Sequence, residues 1–138
     1  MRRESFCAGT LTLTLFLTTA ASALAGTPAH LWSRGFGGTN GAGGHSVAVD
    51  GSGNVIMTGY FSGTVNFGGA DLTSAGATEI FLAKFSANGV HQWSQRFGST
   101  SHDQGNSVAV DGSGAVIVTG TFAGTVNFGG SNLTSAGD

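Results

Sequence analysis

A long internal repeat constrains this chain more than any other feature of its sequence. Three segments return unchanged at one constant offset: VAVDGSG at 47 and 108, GTVNFGG at 63 and 124, and LTSAG at 72 and 133. Aligned without a gap, residues 30–77 and 91–138 are identical at 32 of 48 positions. We therefore expect two copies of one structural unit, with repeat 1 at about 30–90 and a partial repeat 2 at about 91–138.

Residue patterns within one unit predict four strands. β-branched and aromatic runs separated by Gly-rich turns give strands at 46–50, 55–61, 80–85 and 90–97. The pair Asn88-Gly89 predicts a type I′ hairpin before the last strand. Alternation in that strand places His91, Trp93, Gln95 and Phe97 on one face. Residues 63–76 are predicted to hold one more short hairpin.

The composition favours an all-β fold. Glycine accounts for 25 of 138 residues and charged residues for 9 %. After residue 25 no segment shows the 3.6-residue period of a helix. The second and third strands are apolar on both faces, so both faces must be covered. Four-stranded antiparallel sheets stacked as β-propeller blades provide that cover, and the length of the repeat suits a large blade better than a β-helix coil.

The ordered pattern SVAVDGSGNVIMTGYFSGTVNFGG followed by EIFLAKFSANGVHQWSQRFG resembles the SBBP-type β-propeller repeats of secreted bacterial proteins. The resemblance covers the region 26–138 and implies a propeller in an exported or surface protein. It implies no catalytic residues. With fewer than two full repeats after residue 25, we expect an incomplete propeller. Either a longer gene product or several copies of the chain would then cover the open sheet edges.

Each unit repeats a small set of aromatic residues that we expect to pack one sheet on the next. A unit that recurs must bury the same surface each time, so a repeated aromatic residue is predicted to be structural. The residues are Trp32, Trp93, Phe36, Phe97, Phe67 and Phe128.

Residues 1–25 are predicted to be a signal peptide. Arg2 and Arg3 precede an apolar run at 11–20 that is too short to span a bilayer, and Ala23-Leu24-Ala25 predicts cleavage before Gly26. Cys7 precedes the apolar run, which argues against a lipoprotein. The cleaved chain would carry a net charge of −3 and no cysteine. A secreted or cell-surface location follows, and the acidic balance gives no footprint for nucleic acid.

No residue pattern points to catalysis or to a cofactor. Asp50 and Asp111 begin DGSG segments, which leaves two interpretations, a hairpin turn capped by the aspartate or a cation site. The turn is favoured, because the alternating oxygen ligands and the later bidentate acid of an EF-hand loop are lacking. The four histidines lack zinc spacing, so no metal site is assigned.

These observations favour a non-enzymatic exported module for binding or scaffolding, with an unidentified protein or glycan as its ligand. Residues 38–45 differ from residues 99–106 at six of eight positions, so this segment is the predicted contact surface. Two alternatives stay open. One is a structural protein whose units assemble outside the cell, and the other is a propeller lyase or hydrolase acting on envelope polysaccharide.

Overall fold

The computed structural model describes residues 29–137, so the predicted signal peptide and its cleavage point before Gly26 lie outside the described residues. Between 29 and 137 the chain forms strands and turns without a helix, which confirms the all-β prediction. The ten strands are β1 Ala42–Val49, β2 Val55–Phe61, β3 Thr64–Val65, β4 Leu72–Thr73, β5 Glu79–Phe85, β6 His91–Phe97, β7 Gln104–Val110, β8 Val116–Thr121, β9 Thr125–Asn127 and β10 Asn132–Thr134.

Strands β1, β2, β5 and β6 form one antiparallel sheet in the order β1-β2-β5-β6, here termed the first sheet. The predicted short hairpin is confirmed as β3 paired with β4, between the second and third strands of that sheet. The first sheet spans residues 42–97, so it takes its fourth strand from beyond residue 90. Strands β7 and β8 form the second sheet, and β9 pairs with β10.

The turns that join neighbouring strands use glycine in the left-handed region. Gly53, Gly89 and Gly114 have φ of +79°, +76° and +88°. The prediction of a type I′ turn at Asn88-Gly89 is wrong, because that turn needs positive φ at both central residues and among residues 29–137 only glycines have it. The Gly89 amide instead donates to the Ser86 carbonyl at 2.8 Å, which is typical of a type I turn followed by a left-handed glycine.

A bulge in β6 overturns the predicted face of His91. The register of β5 and β6 pairs Lys84 with Trp93 but Phe85 with His91, so one extra residue is inserted between them. Successive strand residues alternate in direction, and an inserted residue reverses the alternation. His91 therefore lies against Phe85, with ring centroids 5.9 Å apart, while Trp93 and Phe97 point to the opposite face.

The two faces of the first sheet have separate apolar cores. The face termed face A carries Phe61, Phe81 and Phe85, and the β3–β4 hairpin covers it together with the segment that contains Trp32. The opposite face, termed face B, carries Ile56, Leu82, Trp93 and Phe97 and packs on the second sheet. The predicted covering of both faces is thus confirmed for strands β2 and β5.

The second sheet is placed by its first strand. Strand β7 lies closest to β1, its counterpart in the first copy of the repeat, then to β2, and is farthest from β5. The two sheets therefore approach most closely at their first strands and diverge toward β5 and β6. Val108 and Val110 of β7 pack on face B, as do Val116 and Val118 of β8.

Candidate functional site

The variable segment, residues 38–45, lies where the chain enters the first strand of the first sheet. The Thr39 amide donates to the Thr64 carbonyl at 3.0 Å, and Thr39 Oγ1 accepts from the Thr64 amide at 3.1 Å. Asn40, Gly41 and Ala42 are exposed. The segment thus sits beside the β3–β4 hairpin, whose sequence 63–76 changes at only two positions in the second copy.

The equivalent segment of the second copy, residues 99–106, is anchored by a buried carboxylate. Asp103 is fully buried, and its two oxygens accept from the Ser99 amide at 2.7 Å and the Ala123 amide at 3.0 Å. The counterpart of Asp103 in the variable segment is Ala42, which has no such group. Part of the sequence difference between the two segments is therefore structural.

A second buried carboxylate lies beside the first. Glu79, fully buried, pairs with Arg96 Nη1 at 2.5 Å and accepts from the Ala75 amide. A Cβ built on Gly98 would lie 2.7 Å from Asp103 Oδ2 and 2.9 Å from Glu79 Cγ, so glycine is required between the two acids. Sequence reasoning did not single out this cluster, although Asp103 facing Ala42 in the repeat alignment was a signal.

Asp50 and Asp111 both cap the turns that they begin. Asp50 Oδ1 accepts from the Ser52 and Asn54 amides at 2.9 Å, and its Oδ2 accepts from Lys84 Nζ at 2.8 Å. The Lys84 ammonium, with the Asn54 side chain, lowers the pKa of Asp50 well below its usual range. These hydrogen bonds use the carboxylate oxygens that a cation would need.

Asp111 holds the equivalent turn without a lysine. Its Oδ1 accepts from the Ser113 hydroxyl at 2.7 Å and from the Ser113 and Ala115 amides, and these bonds lower its pKa. The difference from Asp50 arises because Lys84 belongs to β5, the strand that pairs with β2. Across residues 29–137, no three His, Cys, Asp or Glu side chains gather as a metal site would require.

The repeated aromatic residues occupy equivalent places in the two copies. Phe36 stands 5.2 Å from Phe67 between ring centroids, and Phe97 stands 5.3 Å from Phe128. Trp32 packs 6.2 Å from Phe85, with its Nε1 donating to the Ala87 carbonyl at 3.0 Å. Trp93 packs in the core of face B.

Counterpart residues differ sharply in exposure, and this shows which faces are open. Ile56 on face B is fully buried against the second sheet, while its counterpart Ile117 is 53 % exposed. The reverse holds for the other face, where Val108 is 6 % exposed and its counterpart Val47 is 63 % exposed. Face A of the first sheet near β1 and the far face of the second sheet are therefore the open apolar surfaces of residues 29–137.

An apolar cleft of about 500 Å³ opens between the two sheets where they diverge. The first sheet contributes Ile80, Leu82 and Phe97, and the second copy contributes mainly Val118, Phe122, Phe128 and Leu133. Phe128 is 42 % exposed here, whereas its counterpart Phe67 is 1 % exposed. Sequence reasoning missed the cleft, because identical residues in the two copies gave no sign that their surroundings differ.

Comparison with known proteins relates the chain to propeller repeats. It is 30 % identical over 110 residues to an uncharacterized WD repeat-containing protein of Acanthamoeba polyphaga mimivirus. The aligned region covers 67 % of this chain but only 8 % of the viral protein. WD repeats form four-stranded propeller blades of about 40–45 residues. No family model matches the chain.

The described part of the chain offers no route through a bilayer by a helix. Within residues 29–137 the structure has no helix with the length and hydropathy that such a crossing requires.

Proposed function

We propose that this chain is an exported, non-enzymatic module of the β-propeller type that binds a protein partner through the variable segment. The stacking of two repeated sheets, with their first strands closest together, carries the propeller assignment. Propeller sheets are arranged in this way around an axis, with the first strands innermost. The similarity to a WD repeat-containing protein supports the same architecture.

The position of the variable segment supports its role as the contact surface. It lies at the end of the sheets that carries the β3–β4 hairpin, and Asn40, Gly41 and Ala42 are exposed there. Among repeats, a framework that stays constant while an exposed loop varies is typical of a binding surface. The buried acids Glu79 and Asp103 are taken up by Arg96 and by backbone amides, which favours binding over catalysis at this end.

A cell-binding assay tests the proposed surface. Labelled protein is titrated onto washed cells of the producing strain, with and without protease treatment of the cells. Asn40→Lys/Ala42→Lys should abolish saturable binding, while Ser52→Lys/Asn88→Lys, at the opposite end of the sheets, should leave it unchanged. Equal binding by both variants, with unchanged thermal unfolding, would refute the proposed surface. Binding that survives protease treatment would point to a glycan in place of a protein.

Export rests on the predicted signal peptide and has its own test. Protein recovered from the medium or the cell surface should begin at Gly26 when its N-terminus is sequenced. An N-terminus at Met1 on protein found only inside the cell would refute export without affecting the binding proposal.

A structural role is the second candidate, and the exposed valines and isoleucines of the open faces favour it. Val47 of one copy has the same sequence surroundings as Val108, which already packs on an equivalent of the open far face. Stacking between chains would then repeat the contact seen within the chain. Sedimentation should show size increasing with concentration, and Val47→Asp should prevent it; a monomer at all concentrations would exclude this role.

A further inference from the structure

We propose that the cleft between the two sheets, together with the free edge of β8, is an acceptor site for a single β-strand of the β5 type. The partner is an extended segment with large apolar residues at alternate positions and one lysine, bound antiparallel to β8. This goes beyond the proposed function, because it involves neither the variable segment nor the end of the sheets that carries it.

The first observation is the edge itself. In the first sheet β2 is paired on both sides, with β1 and with β5. Its counterpart β8, as far as residues 29–137 extend, is paired only with β7. The backbone amides and carbonyls on the other side of β8 are therefore available to an added strand, which is how extended peptides join sheet edges.

The second observation is the shape and chemistry of the cleft. In the first sheet, Phe81, Ala83 and Phe85 of β5 complete the face A core formed with Phe61 and Phe67. The counterparts of the remaining members of that core line the cleft: Phe122 for Phe61, Phe128 for Phe67, Leu133 for Leu72, Val118 for Met57 and Phe97 for Phe36. The cleft is thus the face A core without the side chains that β5 supplies.

The third observation is a charge at the end of the edge. Lys84 of β5 reaches Asp50, which caps the turn before β2. The counterpart Asp111 caps the turn before β8 and has Ser113 in place of a cation. A strand bound to β8 in the register of β5 on β2 would bring its lysine to Asp111. The site therefore selects both for apolar alternation and for a positive charge next to the last aromatic residue.

The register follows from the first sheet. There Val55 pairs with Phe85 and Phe61 pairs with Glu79. Transferred to the counterpart positions of the second copy, the bound strand would place its last aromatic residue opposite Val116 and its first residue opposite Phe122. Side chains at alternate positions would then enter the cleft against Phe128, and the others would face the open side of β8 that carries Ile117.

The site can be probed with a strand of known sequence. A fluorescein-labelled peptide of residues 78–87 (TEIFLAKFSA) is titrated with the full chain, and anisotropy reports binding. Saturable one-to-one binding is expected, with slower amide hydrogen exchange along β8. A peptide with both phenylalanines replaced by serine keeps the backbone donors but should bind at least about tenfold more weakly, since it loses its apolar contacts.

Matched variants of the chain assign the site. Phe128→Ser should weaken the peptide by roughly tenfold, whereas Ile117→Ser, on the opposite face of β8, should have a smaller effect. Both side chains are half-exposed, so both variants should fold. Asp111→Asn and the peptide change lysine to methionine should each weaken binding, with little added loss when combined, as two partners of one ion pair require.

Two results would overturn the proposal. One is absence of peptide binding, or binding unaffected by both Phe128→Ser and the serine peptide. The other is a dimer of the chain that Phe128→Ser disrupts while the peptide does not compete with it, which would make a second copy the occupant of the cleft. Loss of cell binding through the variable segment would leave the peptide result unchanged, so the two proposals fail separately.

Discussion

The stacking of the two sheets predicts that the same substitution will have different costs in the two copies of the repeat. Ile56 and Ile117 hold equivalent positions, but Ile56 is fully buried between the sheets and Ile117 is 53 % exposed. Val108 and Val47 form a second pair with the opposite order, at 6 % and 63 % exposed. We therefore expect Ile→Ala to cost more in the first copy and Val→Ala to cost more in the second.

The magnitudes follow from the atoms removed and the space left. Ile→Ala deletes three carbons, worth about 2.4 kcal/mol in transfer at about 0.8 per carbon. A closed cavity adds to this, so Ile56→Ala should cost about 3–4 kcal/mol of unfolding free energy. For Ile117→Ala about half of the transfer term and no cavity remain, giving about 1 kcal/mol. The same reasoning gives about 2–3 kcal/mol for Val108→Ala and about 0.5 for Val47→Ala.

Urea unfolding measures all four variants on one chain. Tryptophan fluorescence and far-UV circular dichroism should give coincident transitions and equal m-values, which permits comparison of the free energies. Costs that are equal within each pair, or that follow one copy of the repeat for both residue types, would refute the stacking of face B on the second sheet. The crossed order is the informative result, because a merely less stable second copy could not produce it.

Three further predictions concern charge and backbone. Arg96→Met should cost about 1–3 kcal/mol, because it leaves buried Glu79 without its cation, and the half-exposed arginine lowers the figure expected for a fully buried pair; thermal or urea unfolding measures it. Asp50→Asn should flatten the acid limb of the stability profile between pH 6 and pH 3. The lowered pKa of Asp50 means that its ionised form stabilises the fold above the unfolded value of about 3.9 and that this contribution fades as pH falls. Gly63→Ala should cost about 1–3 kcal/mol, since φ is +73° and the new Cβ would meet Thr39 Oγ1.

Each of these predictions has a control. Gly124→Ala has the same φ, +74°, but its nearest neighbour is Ser99 Oγ at 3.4 Å, so it should cost less than Gly63→Ala; equal costs would contradict the argument from contact. Adding Glu79→Gln to Arg96→Met should recover part of the loss, and a deeper loss would show that the ion pair is not what holds Arg96. An acid limb as steep in Asp50→Asn as in the unchanged chain would contradict the role assigned to Asp50.

The sequence was sufficient for the strands because each is determined locally. Alternating β-branched residues and glycine-containing turns set the extent of β2 and β5 to within a residue. Two local details could not be read in this way. The type of turn at Asn88-Gly89 depends on the φ of Asn88, which both turn types permit by composition. The face of His91 depends on one inserted residue in β6, and a bulge leaves no mark on the alternation of polar and apolar letters.

The candidate sites were less predictable because they depend on what lies next to each copy. Phe67 and Phe128 sit in the same run of letters, yet one is buried and the other borders the cleft. Repeat identity predicts equal local structure but cannot predict unequal neighbours. The pairing of Asp50 with Lys84 likewise depends on β5 lying beside β2, which no local pattern in the DGSG turn reveals.

Nuclear Overhauser contacts between methyl groups give the most direct test of the stacked-sheet account. With selectively labelled isoleucine, leucine and valine methyls, Val108 should show contacts to Ile56 and Leu82, which belong to the same buried cluster. Val47, its counterpart, should show no contact to Ile117 in a dilute monomer. Absence of the Val108–Ile56 contact, in a sample whose β2–β5 contacts are intact, would contradict the account.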